Sequence, residues 1–161
     1  MTVAEYNHSV NEYADRLYRF ILKNLRDQAS AQDIIQDTFE KLWIRHESVS
    51  FAKVRSYLFT AAYHTLIDYT RKTKLLIDIE SMKNSFGETT EDPFDLKENL
   101  DSALKRLPDM QRAVILLRDY EGYSYDEIGE ITGLSESQVK VYIYRGRLAL
   151  RKLIGSPEIL L

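Results

Sequence analysis

Residues 124–153 read SYDEIGEITGLSESQVKVYIYRGRLALRKL. Ser124 with Glu127 forms a capping box that opens a short helix, Gly133 stops it, and Ser135 with Gln138 opens a second, longer helix. A short helix, a tight Gly-containing turn and a longer helix are the arrangement that presents a second helix to a DNA major groove. Val139, Ile143, Gly146, Leu150 and Leu153 give the longer helix one inward stripe. Gly129 is expected to leave the first helix bare where the second crosses it, and Leu134 to plug the turn. The opposite face offers Glu136, Ser137, Gln138, Lys140, Val141, Tyr144, Arg145 and Arg147. That set mixes cations for phosphates with groups that hydrogen-bond base edges.

Outward from this stretch the punctuation stays helical. Pro108 starts a helix that stops at Gly122, Pro93 after Asp92 starts one that ends near Leu107, and Gly155 with Pro157 closes the last helix. In the first half, Val10, Tyr13, Leu17, Phe20 and Ile21 line one face of a helix from about Val3 to Leu25. Ser30, with Asp33 in a capping-box position, is expected to open a second helix, with Ile34, Ile35, Thr38, Phe39 and Leu42 buried and an end near Arg45. After an irregular Ser48–Lys53 segment, Val54, Leu58, Ala61, Thr65 and Tyr69 give a third helix its inward face. Residues 73–92 lose this periodicity and gather Ser81, Asn84, Ser85, Gly87, Thr89 and Thr90 among acids, a linker composition. No strand pattern appears. The fold expected is all-α, with a three-helix domain over 1–72, an acidic linker over 73–92 and a four-helix helix-turn-helix domain over 93–161.

Composition excludes several function classes. The chain has 161 residues, 44% of them hydrophobic, and no apolar run near the roughly 20 residues that span a bilayer. The opening MTVAEYNHSV lacks the basic and apolar regions of a secretion signal, so a cytoplasmic location is expected. With no cysteine, and with His8, His46 and His64 scattered, no metal site or cofactor is expected. No Gly-rich phosphate loop appears, and carboxylates such as Asp126 and Glu127 point apart on one helix, so neither a catalytic residue nor a small-molecule substrate is expected. The net charge of −3 hides a local excess: residues 138–152 carry Lys140, Arg145, Arg147, Arg151 and Lys152 and no acid.

Two stretches carry a family resemblance. Residues 104–153, LKRLPDMQRAVILLRDYEGYSYDEIGEITGLSESQVKVYIYRGRLALRKL, resemble the fourth conserved region of bacterial sigma factors. Residues 29–45, ASAQDIIQDTFEKLWIR, with 56–72, SYLFTAAYHTLIDYTRK, resemble their second region. The short linker and the lack of a recognisable middle domain point to the extracytoplasmic-function type. The resemblance implies binding of core RNA polymerase and of promoter DNA, both double-stranded and locally melted, and an anti-sigma partner, often membrane-bound. A stand-alone regulator binding an operator is the alternative that the helix-turn-helix alone leaves open.

Residue roles follow from the same resemblance. It implies core-polymerase binding by the outer face of the second helix, where Asp33, Gln36, Asp37, Glu40 and Lys41 lie off the apolar stripe. Trp43 stays open between core and contact. It implies capture of a flipped non-template base by the loop and third helix, through Phe51, Thr60, Tyr63, His64, Ile67 and Arg71, with stacking and cations holding the unpaired strand. Phe59 nearby is expected in the core. His64 stands where an Asn is frequent and Thr60 where an Arg is frequent. Upstream-element recognition falls to Ser137, Gln138, Lys140, Val141, Tyr144, Arg145 and Arg147. Elements about 25 base pairs apart lie about 85 Å apart along B-DNA, and a 20-residue linker extends at most about 65–70 Å, leaving the rest to the domain bodies.

Overall fold

The computed structural model describes residues 1–25, 27–83 and 99–155, in which every regular element is helical. Three long helices come first: α1 (Val3–Asn24), α2 (Gln28–Arg45) and, after a 3₁₀ turn over Phe51–Lys53, α3 (Val54–Lys83). Then follow α4 (Asn99–Arg106), α5 (Asp109–Ile115), which continues as a π-helical turn over Leu116–Tyr120, α6 (Tyr125–Thr132) and α7 (Glu136–Ile154). The start expected at Pro93 and the stop at Pro157 lie outside the described residues.

Local chemistry explains most of the helix ends. Thr2 and Glu5 form a capping box on α1, Ser124 and Glu127 on α6, and Ser135 and Gln138 on α7, each with both reciprocal bonds made. Gly122, Gly133 and Gly155 take positive φ, as the turns there require. The start of α2 departs from expectation. Its cap is Asp27, whose side chain accepts from the Ala29 amide, while the Ser30 hydroxyl lies inside the helix and bonds Asp27 and, at 2.7 Å, the Tyr69 hydroxyl. Asp outcompetes Ser here because its second oxygen also takes the Ser30 proton.

Helix α3 runs eleven residues beyond the boundary expected at residue 72. Leu75, Leu76, Ile77 and Ile79 are all more than half exposed there, so these four apolar side chains gain little burial from the helix. The linker composition read over 73–92 therefore includes helical backbone as far as Lys83.

Helices α1, α2 and α3 pack on one another around Leu17, Phe20, Ile21, Leu42, Leu58 and Phe59. Helix α7 packs on α4, α5 and α6, where Leu104, Ile115, Leu117, Ile128, Val139 and Ile143 are buried. Burying each such side chain contributes about 1.5–3 kcal/mol. The two groups are not separate: α3 packs on α6 and α1 on α4 and α5, so the buried residues form one continuous cluster.

The close crossing expected at Gly129 belongs to another glycine. A Cβ on Gly129 would meet the Leu134 carbonyl of its own turn at 2.8 Å, whereas one on Gly146 would stand 2.4 Å from Ile115 Cδ1. Gly129 therefore lets the turn fold back, and Gly146 lets α7 lie against α5.

Candidate nucleic-acid interface

The packing of α7 fixes which of its faces meets solvent. Val139, Ile143, Gly146 and Leu150 are buried and Leu153 half-buried, as their spacing demands. Ser137, Gln138, Lys140, Val141, Tyr144 and Arg145 are all exposed, Tyr144 at 69%. Lys140 pairs with Glu136 at 3.3 Å and stands 5.6 Å from the centre of the Tyr125 ring. An exposed pair of this kind is worth about 0.3–0.5 kcal/mol, little enough to exchange for a base or a phosphate. Arg145 has no ion-pair partner among the described residues.

Arg147 is placed differently from the other six. It is half-buried, and its guanidinium holds Asp119 through two bonds, 2.5 Å from NH2 and 3.3 Å from Nε. It ties α7 to the π-helical turn instead of standing free beside the reading groups. Arg118 of the same turn lies 4.5 Å over the Tyr125 ring and donates to the Tyr123 carbonyl, which fixes the entry into α6.

The residues read from the third helix fall into two groups. Along α3, Thr60 and Ile67 are half-buried while His64 and Arg71 are exposed, and Phe51 is exposed one turn before the helix. These can reach a strand laid along the helix. Tyr63 cannot: it is buried, with its hydroxyl 3.5 Å from Met110 Sδ, and burial raises its pKa. Phe59 is fully buried, edge-on to Phe20 and Tyr123.

On α2, Asp33, Gln36 and Glu40 face solvent. Asp37 and Lys41 bond each other at 3.0 Å, and Lys41 donates to Thr65 of α3 at 3.0 Å, so this pair also braces the two helices. Trp43 and Ile44 extend the outer surface by 44% and 74% exposure, with Trp43 stacked on His46 and edge-on to Tyr6. Exposure of Ile44 was not legible, because an apolar residue in a helical run reads as core.

The sequence reading also missed Arg112, although it is buried. It donates to the Leu107 carbonyl at 3.0 Å, to Asp109 at 2.7 Å and to Asn24 of α1 at 3.4 Å. These bonds join the α4–α5 turn to the first domain.

Residues 10–75 match the family described as Sigma-70 region 2 and residues 97–150 that described as Sigma-70, region 4. The ECF RNA polymerase sigma factor SigM of Bacillus subtilis is 31% identical over 88% of this chain and 90% of its own length. The RNA polymerase sigma factor YlaC of the same organism is 31% identical over 88% and 87%. In fold, the chain is similar to the sigma factor RpoE, solved in complex with the anti-sigma factor NepR from Bartonella quintana. The TM-score is 0.76 at 22% identity, over 95% of this chain and 98% of that one. CnrH, solved with the cytosolic domain of CnrY, gives a TM-score of 0.68 at 22% identity, over 93% and 87%. The chain belongs to the extracytoplasmic-function sigma factors. It directs promoter-specific transcription initiation with core RNA polymerase, reading promoter DNA through its two conserved regions.

Proposed function

We propose that residues 1–72 bind core polymerase and the minus-10 element, and that residues 93–161 read the minus-35 element. The observation that carries this assignment is the exposed face of α7, where Ser137, Gln138, Lys140, Val141, Tyr144 and Arg145 stand together on a doubly capped helix-turn-helix. Lys140 and Arg145 read base edges; Arg151 and Lys152, near the end of α7, meet phosphate. Arg147 acts first on Asp119 and through it on the pose of the helix.

In the first domain, Phe51, Thr60, His64, Ile67 and Arg71 follow the melted strand. Tyr63 joins them only when Met110 has moved. Asp33, Gln36 and Glu40, with Trp43 and Ile44, form the polymerase face, braced by Asp37 and Lys41. The protein works as a non-catalytic subunit in the cytoplasm; no helix among the described residues is long and apolar enough to cross a membrane. An anti-sigma factor is a further partner, supported by the complexes in which both structural relatives were solved.

Transcription by the reconstituted holoenzyme from a library randomised across the minus-35 element tests the reading face. A bidentate base contact is worth about 1–3 kcal/mol of discrimination, whereas a phosphate contact weakens all sequences alike. Arg145→Ala therefore relaxes preference at one or two base pairs, and Arg151→Ala lowers output evenly. Uniform loss with Arg145→Ala would make that residue a phosphate clamp.

A further inference from the structure

Phe51 opens the 3₁₀ turn before α3, a turn with no buried residue, and keeps 38% of its own surface exposed. The ring that meets it comes from α1: His8 and Phe51 stand edge to face, with centroids 5.7 Å apart and planes at 61°. His8 is exposed, and among the described residues it makes no hydrogen bond or ion pair. Both backbones are nevertheless anchored, because Ser9 beside it is fully buried and Val54, just after the turn, is 2% exposed. The fold thus holds two exposed rings in a fixed corner and draws little burial from either.

Such a corner suits an unpaired base. A base held outside its stack is gripped by an aromatic face and read by hydrogen bonds to its edge. Phe51 offers the face but no hydrogen bond, whereas a neutral imidazole offers a donor at one nitrogen and an acceptor at the other. A backbone phosphate fits His8 less well, since Glu5 and Glu12 lie three residues before and four after it on the same face of α1 and repel an anion. Lys53, exposed at the end of the same turn, is the group there that suits phosphate.

We propose, resting on the assignment of Phe51 to the melted strand, that His8 is a base-reading residue of the minus-10 site, which hydrogen-bonds the edge of the unpaired non-template base that stacks on Phe51. Helix α1 thereby joins a site otherwise built from the loop and α3. Because the base and the imidazole meet only once the strands have parted, His8 acts on melted DNA and not on the duplex.

Holoenzyme reconstituted with the full chain is titrated with a fork-junction fragment whose minus-10 element is present only as the non-template strand, and is then used to transcribe a library randomised across that element. His8→Ala is expected to weaken fork binding by about three- to tenfold, the worth of one or two hydrogen bonds, and to relax preference at a single base. His8→Gln, whose amide keeps a donor and an acceptor, retains most of the affinity, whereas His8→Phe, which keeps the pair of rings, behaves as His8→Ala does. That order separates reading from packing, because a ring that only steadied Phe51 would be replaced by Phe and lost with Gln. Parental fork affinity and base preference in His8→Ala, or in His8→Phe, would overturn the proposal. Phe51→Ala is the companion measurement. Weaker fork binding with Phe51→Ala but not with His8→Ala overturns the role of His8 alone; if neither variant binds the fork more weakly, the assignment of Phe51 to the melted strand falls with it.

Discussion

Arg147 lies on α7, where Asp119 takes two of its donors on a half-exposed surface. A two-point Arg–carboxylate pair has better geometry than most surface pairs, but in solvent it still contributes only about 1 kcal/mol or less. Its larger effect is directional: the pair sets where the C-terminal half of α7 sits against the π-helical turn. Asp119→Ala leaves the helix caps intact and frees the guanidinium. If the freed group then meets a phosphate, the slope of log affinity against log salt steepens by about 0.9. The expected outcome is tighter holoenzyme binding at low salt on every promoter fragment, with no change in base preference. Adding Arg147→Ala should return the slope to its original value. A slope unmoved by Asp119→Ala would mean that Arg147 reaches no phosphate even when released.

Among the elements, α7 sets its bare backbone at Gly146 against the Ile115 side chain of α5. An added methyl would stand 2.4 Å from Ile115 Cδ1 and 3.3 Å from Cγ1, and Ile115 is itself buried with little room to turn. Gly146→Ala therefore pushes α7 outward, at about 1–3 kcal/mol for such overpacking. Thermal unfolding should show a melting temperature lower by about 2–4 °C for each kcal/mol. Leu148→Ala, on the exposed side of the same helix, should stay within about 0.5 kcal/mol. Equal melting temperatures for Gly146→Ala and the parent would show that the crossing has slack. What was legible in the sequence follows the same division of distances. Ser124 with Glu127 and Ser135 with Gln138 lie three residues apart, so pattern alone fixes their helix starts. Gly146 was legible as part of the inward stripe, but its contact with Ile115, 31 residues earlier, was not. The Asp27 cap was missed because Ser30 fits the same motif. The helix beyond residue 72 was missed because Leu75, Leu76, Ile77 and Ile79 form no buried stripe. The bonds from Arg16 and Arg55 to Glu121, 105 and 66 residues away, were missed because no local pattern announces such a pairing.

For the whole molecule, the contacts between the two domains include a carboxylate whose protonation can be followed. Burial alone would raise the pKa of Asp109, but hydrogen bonds from Lys74 and Arg112, and their charges, outweigh burial and hold it below its ordinary value of 3.8. A carboxyl depressed on folding adds stability above its unfolded pKa and loses it as pH falls through the folded value. The loss therefore begins below about pH 4. Asp27, held low by the Ser30 hydroxyl, and Glu127, held low by the Ser124 amide, titrate in the same direction. They are common to any comparison that changes only Asp109. Asp109→Asn removes the charge at every pH while keeping the shape of the side chain. At neutral pH the variant should melt below the parent, because Lys74 and Arg112 lose their anion. As pH falls below about 4 the parent should lose stability faster, until the two curves converge once its own carboxyl is protonated. A constant offset between the two melting curves down to acid pH would mean that the Asp109 charge contributes nothing, and that the carboxyl serves only through its shape.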